Sequence, residues 1–203
     1  MVLFCHSYTM ITKSLNPLIL AILILSIALV ITQSFQHELM FYREQINRDQ
    51  WWRLISGNFV HSNYPHLFMN LAGLWILGLL FIDSLSLKTF ILSSIILSLF
   101  VGLGLYYYNP ELQRYYGVSG VLHGLFLVGA TTAILQKDIF TGVSTALLII
   151  TKTIWDLING GNDSSAELIG VAVATDAHLY GVIGAILFSI FLALNYYKNT
   201  PPI

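Results

Sequence analysis

The sequence predicts an all-α membrane protein, a six-transmembrane-helix bundle forming a single domain over residues 1–203, and three observations carry that reading. Only 9% of residues are charged, against about 25% in an ordinary soluble domain. Hydrophobic residues make up 56%, and the mean hydropathy is +0.75. Stretches without Asp, Glu, Lys or Arg run Ser14 to Gln36, Leu54 to Ile82, Thr89 to Pro110, Tyr115 to Gln136 and Ala177 to Tyr197, and each reaches the ~20 apolar residues a spanning helix needs.

The same composition excludes a water-soluble globule and a disordered chain. Nine Lys and Arg balanced by ten Asp and Glu give no basic cluster, so nucleic acid is not an expected partner. Cys5 is the single cysteine, which leaves no internal disulfide and no Cys-x-x-Cys metal site.

Taken in order, the expected spans are residues 16–35, 64–82, 88–108, 118–136, 139–158 and 177–197. The first begins near Pro17 and is followed by no small-x-small cleavage pattern, so it reads as a retained span. Between it and the second, His37 to Val60 mixes Glu38, Arg43, Glu44, Arg48, Asp49 and Arg53 with Phe41, Tyr42, Trp51, Trp52 and Phe59, a composition that suits the headgroup interface. The fifth span contains Lys152 and Asp156, four apart on one helix face; the favoured reading is a structural ion pair, with substrate recognition as the alternative. Most connections are short, which makes sequence neighbours antiparallel neighbours. The exception, Asn159 to Thr175, opens on a flexible Gly160-Gly161-Asn162-Asp163-Ser164-Ser165 and continues with an apolar run, so it is expected to cap the site as a mobile gate. Lys13, Lys88, Lys137 and Lys198 fall on one side and Arg43, Arg48, Arg53 and Arg114 on the other, so the positive-inside rule gives no orientation.

Polar groups at membrane depth are expensive, and those that remain are candidates for function. His66 and Asn70, four apart, share a face of the second span, with His61 before or at its start. Helix capping is the competing explanation. Gly117-Val-Ser119-Gly120-Val-Leu-His123-Gly124 opens the fourth span. A serine there is ordinarily an N-cap, but the flanking glycines let another backbone approach and leave the hydroxyl exposed, as a nucleophile requires. Asp176-Ala-His178 opens the sixth span, and Gly181 and Ala185 on the His178 face permit a close approach to the fourth. That approach would bring His178 to Ser119 as the base a serine needs. Asp176 could orient the histidine, although two residues apart on a helix favours a capping role. His123, one turn from Ser119, is expected to lie against His178 and to stack on it or hydrogen-bond with it.

Arg53-x2-Ser56-x4-His61-x4-His66-x3-Asn70, then Gly117-x-Ser119-Gly120, then Ala177-His178-x2-Gly181 resembles the rhomboid intramembrane serine proteases in order and spacing, together with the Trp52-Arg53 pair of the first loop. The resemblance implies a rhomboid-like bundle in which Ser119 is the nucleophile and His178 its base, without a third acid. It further implies that His66 and Asn70 form the oxyanion hole with the Ser119 N–H, and that His61 holds the first loop in shape. Many bacterial rhomboids have tyrosine where His123 stands. Ser-Gly-Val-Leu-His-Gly, Lys-x2-Trp-Asp and Asp-Ala-His-x-Tyr-Gly together look like the rhombosortase branch.

That branch implies transmembrane protein substrates carrying a C-terminal anchor of the GlyGly-CTERM type, release of the acyl-enzyme by water or a lipid-derived amine, and no cofactor or metal. It also implies a bacterial inner membrane, and the rhomboid resemblance implies a water-filled active site opening on the outer, periplasmic face and cytoplasmic termini. The alternatives are a general rhomboid protease acting on other single-span substrates, a catalytically dead rhomboid-like binding protein, and a haem or metal site built from His61, His66, His123 and His178, for which the His-Asn-Ser clustering is poor ligand chemistry.

Overall fold

The computed structural model describes residues 15–160, 166–167, 170 and 173–199. Among the described residues, six long helices form the frame: α1 (Pro17–Thr32), α5 (Tyr64–Leu80), α6 (Leu87–Tyr108), α7 (Ser119–Leu135), α8 (Ile139–Asn159) and α9 (Thr175–Asn199). Their starts follow local chemistry. Asn16 Oδ1 accepts from the Leu18 N–H at 2.9 Å and Pro17 begins α1; Asn63 Oδ1 accepts from the His66 N–H at 2.9 Å; Ser86 Oγ accepts from the Thr89 N–H at 3.1 Å. The left-handed Gly160, at φ +62°, ends α8.

Among the described residues, four helical segments are long and apolar enough to cross a membrane: Pro17–Leu39, in which α1 continues through a 3₁₀ turn, Leu87–Tyr108, Ile139–Asn159 and Thr175–Asn199. The other two, Tyr64–Leu80 and Ser119–Leu135, are apolar but only 17 residues long. They occupy the expected second and fourth spans. Most of the proposed gate, Gly161–Ser165 included, and Cys5 and Lys13 lie outside the described residues.

Large apolar side chains face outward, Phe140, Leu148 and Leu194 among them, while Ser93, Ser98, Thr132, Thr145, Thr153, Asp156 and His178 are buried. Since a cluster of apolar side chains is buried beneath them as well, the helices are apolar on both sides, as a lipid solvent selects. α7 packs against α5, α6, α8 and α9. Its crossing with α9 has no room for side chains: a Cβ on Gly181 would lie 1.9 Å from the Gly120 carbonyl oxygen, and one on Gly120 would lie 2.6 Å from that of Ala177. Backbone contact at this point fixes the distance between the first residues of both helices.

The interfacial segment is more structured than its composition suggests. It forms α2 (Gln36–Leu39), α3 (Arg43–Ile46) and α4 (Arg53–Ser56), with 3₁₀ turns at Gln33–Phe35 and Gly57–Phe59. Phe41–Tyr42 (β1) pairs antiparallel with Arg114–Tyr115 (β2), Phe41 opposite Tyr115. The Arg43 guanidinium donates to the carbonyls of Leu105, Tyr106, Asn109 and Leu112 at 2.8–2.9 Å, satisfying the open end of α6. Buried Arg53 donates to the carbonyls of His37 and Met40 and to Gln50. These two arginines therefore hold the loop together from within.

Candidate active site

Ser119 is the first residue of α7, one position inside the N-cap Val118, whose side chain makes no capping bond. The Ser119 Oγ lies 3.0 Å from Nε2 of His178, on the first turn of α9. The Gly120–Gly181 backbone contact produces this pairing, because it draws the two helix starts together from opposite sides. Ser119 is half-buried, whereas His178 is 4% exposed.

On its other side the His178 ring meets a carboxylate. Asp156 Oδ2, near the end of α8, lies 3.0 Å from Nδ1, and Asp156 Oδ1 is ion-paired with Lys152. An ionised carboxylate only accepts, so it takes the Nδ1–H and leaves the Nε2 lone pair facing the Ser119 hydroxyl. The acid beside His178 is thus Asp156 and not Asp176, whose Oδ2 accepts from Asn109 Nδ2 at 2.6 Å. Asn109 in turn accepts from the Tyr180 hydroxyl, so Asp176 ties α9 to the end of α6.

His123 stacks on His178, with ring centroids 4.0 Å apart and planes 14° from parallel. Its Nδ1–H donates to the Ser119 carbonyl at 2.8 Å. Donor atoms of His123, Asp156 and His178 lie within 4.8 Å of one another, the spacing of a metal cluster. The ring geometry does not suit an ion: lone pairs in two stacked planes run side by side instead of converging, and Asp156 is already shared by Lys152 and His178.

His66 and Asn70 approach Ser119 from α5. Gly117, at φ +118°, lies between: a Cβ there would sit 2.7 Å from the His66 ring and 3.7 Å from Asn70 Nδ2. Ser62 Oγ is 3.2 Å from His66 Nδ1, and among the described residues the buried Asn70 Nδ2 has no partner. The Tyr115 hydroxyl donates to the Gly117 carbonyl at 2.6 Å, and burial pushes this phenol well above its ordinary pKa, keeping it a donor. His61 sits behind His66, its ring edge-on at 5.0 Å. Its backbone is held by the segment following α1, the N–H by Gln33 and the carbonyl by Gln33 and Gln36.

The structure thus brings Ser119, His178, His123, His66, Asn70, Gly117 and Gly120 together, with His61 behind them, and places Arg53 and Asp176 in the supporting frame. Sequence reasoning missed Asp156 at the site. The available signal was an acid at membrane depth, where one lysine four residues away leaves part of a carboxylate's hydrogen-bonding capacity unmet.

The Rhomboid domain family matches residues 48–195, a range containing every one of these residues. The putative rhomboid protease YdcA of Bacillus subtilis (strain 168) is 24% identical over 148 residues, covering 73% of this chain and 70% of that protein. The rhomboid protease GlpG of Yersinia enterocolitica (serotype O:8 / biotype 1B) is 25% identical over 191 residues, covering 91% of this chain and 66% of that protein. With a family match across most of its length and several apolar helices of spanning length, the chain is a multi-pass membrane protein belonging to the rhomboid family.

Proposed function

We propose that this protein is an intramembrane serine endopeptidase in which Ser119 is the nucleophile and His178 the base. One observation carries the reading: a helix-initial serine with its hydroxyl 3.0 Å from an imidazole nitrogen of another helix. Nε2 removes the hydroxyl proton as Oγ attacks the scissile carbonyl carbon. The resulting oxyanion is met by donors from His66, Asn70 and the Ser119 N–H. The imidazolium then protonates the departing amine, and water opens the acyl-enzyme.

The rhombosortase-like motifs around His123, Lys152 and His178 support a narrower substrate class. These are exported proteins held by a C-terminal GlyGly-CTERM type anchor, cleaved in the inner membrane from the periplasmic side, with transfer to a lipid-derived amine as an alternative to hydrolysis. The bundle would cross the membrane six times.

The test is co-expression with a GlyGly-CTERM protein and mass spectrometry of its new C-terminus. Wild type should yield a defined shortened product or its amine adduct, and Ser119→Ala and His178→Ala none. Processing by Ser119→Ala at the wild-type rate would remove the assignment.

A further inference from the structure

We propose that Asp156 is a positioning residue for His178, so that the site works with three members, Ser119, His178 and Asp156, where the family resemblance implies two. The inference rests on the reading of Ser119 as nucleophile and His178 as base. Asp156 is 3% exposed, and an ionised group so deeply placed survives only with partners. Lys152 alone would not require this burial, since its side chain is 44% exposed and could hold the carboxylate at the helix surface. Instead the carboxylate turns inward, giving Oδ1 to Lys152 and Oδ2 to His178 Nδ1 at 3.0 Å on a helix 22 residues later in the chain. The ring is thereby fixed along its plane by Asp156 and across its face by His123, stacked at 4.0 Å.

This arrangement selects one tautomer. With the proton held on Nδ1 by the carboxylate, Nε2 is left as an acceptor directed at Ser119 Oγ. During attack the Oγ–C bond forms, the carbonyl π pair moves to oxygen, and the hydroxyl proton passes to Nε2. The new imidazolium keeps Nδ1–H on Asp156, whose charge opposes it, and Asp156 itself gains no proton. The Nε2 proton then leaves with the amine as the C–N bond breaks. Lys152 holds the carboxylate in register, so its role is one step further from the reaction.

Fluorophosphonate labelling of the detergent-purified full chain reads the nucleophile without knowledge of the substrate. Asp156→Asn should label about 10²–10⁴-fold more slowly than wild type, the range expected when a base is held in the wrong tautomer. In ¹⁵N-histidine NMR, His178 should shift from the Nδ1–H to the Nε2–H form, a change a purely structural acid would not produce. Lys152→Met should slow labelling less than Asp156→Asn. The double variant Lys152→Met with Asp156→Leu replaces the ion pair by apolar bulk, which folds tolerate well, and should also label slowly.

Wild-type labelling by Asp156→Asn or by the double variant would overturn the proposal. So would slow labelling by Asp156→Asn with His178 still carrying its proton on Nδ1. Labelling of Ser119→Ala at the wild-type rate is a separate outcome: it removes the nucleophile reading itself, and the role of Asp156 with it.

Discussion

Asn70 carries a buried amide Nδ2 without a partner among the described residues, a state that ordinarily costs about 1–3 kcal/mol. On the proposed mechanism that donor is reserved for the oxyanion. Asn70→Ala should therefore cut single-turnover cleavage by about 10²–10³ while leaving the melting temperature unchanged or higher, because an unsatisfied group has been removed. A lower melting temperature with full activity would make Asn70 a packing residue. His61 offers a different measurement. Burial first, and neighbouring His66 second, lower its pKa from 6.5 to about 3. With the folded value depressed, the neutral ring contributes stability above pH 6.5 that is lost as the pH falls toward 3. Melting curves from about pH 7 to about pH 4 should fall more steeply for wild type than for His61→Asn. Ser119, His178, His66 and Asn70 were legible because each breaks an apolar span, and breaks are what a membrane sequence makes conspicuous. Asp156 was concealed by Lys152: a charge four residues away on the same helix accounts for an acid so completely that no partner on a third helix is sought.

At the scale of elements, the crossing of α7 and α9 decides whether the site exists. Gly120, Gly124 and Gly181 were readable as a close-packing face from their spacing alone. The contact is between backbones, a Cβ on Gly124 lying 2.6 Å from the Gly181 carbonyl oxygen, so nothing there can rotate aside. Gly181→Ala must separate the helices and lengthen the Ser119–His178 hydrogen bond. It should cost about 1–3 kcal/mol of stability and lower fluorophosphonate labelling together. Gly73→Ala is the control, since its Cβ would meet only the Leu122 side chain at 3.4 Å. Equal labelling by both variants would show that the crossing does not position the serine. The loop from His37 to Val60 was far less legible. Its order comes from Arg43 and Arg53 donating to main-chain carbonyls, and such bonds have no sequence period to betray them.

Across the whole molecule, the site residues gather at one end of the bundle: His66 and Asn70 near the start of α5, Ser119 at the start of α7, Asp156 near the end of α8 and His178 at the start of α9. Side-chain bonds tie the opposite end, Asn16 to the Ile82 carbonyl and Gln136 to that of Ser84, so α1 starts beside the α5–α6 and α7–α8 turns. A 17-residue helix is about 25 Å long, less than the ~30 Å hydrocarbon core, so α5 and α7 are shorter than a full-length span. If all six long helices cross, both ends of the chain share one side and Arg114 lies on the other. Cys5, the single cysteine, makes this measurable in the wild-type protein. In intact spheroplasts a membrane-impermeant maleimide should leave Cys5 unlabelled until the membrane is permeabilised. In a Cys5→Ser background, Arg114→Cys should be labelled from outside, and Lys137→Cys and Lys198→Cys only after permeabilisation. Labelling of Cys5 and Lys198→Cys from opposite sides would require an odd number of crossings. Shared accessibility of Lys137→Cys and Arg114→Cys would mean that α7 does not span, and the six-crossing arrangement would fail at the helix that carries Ser119.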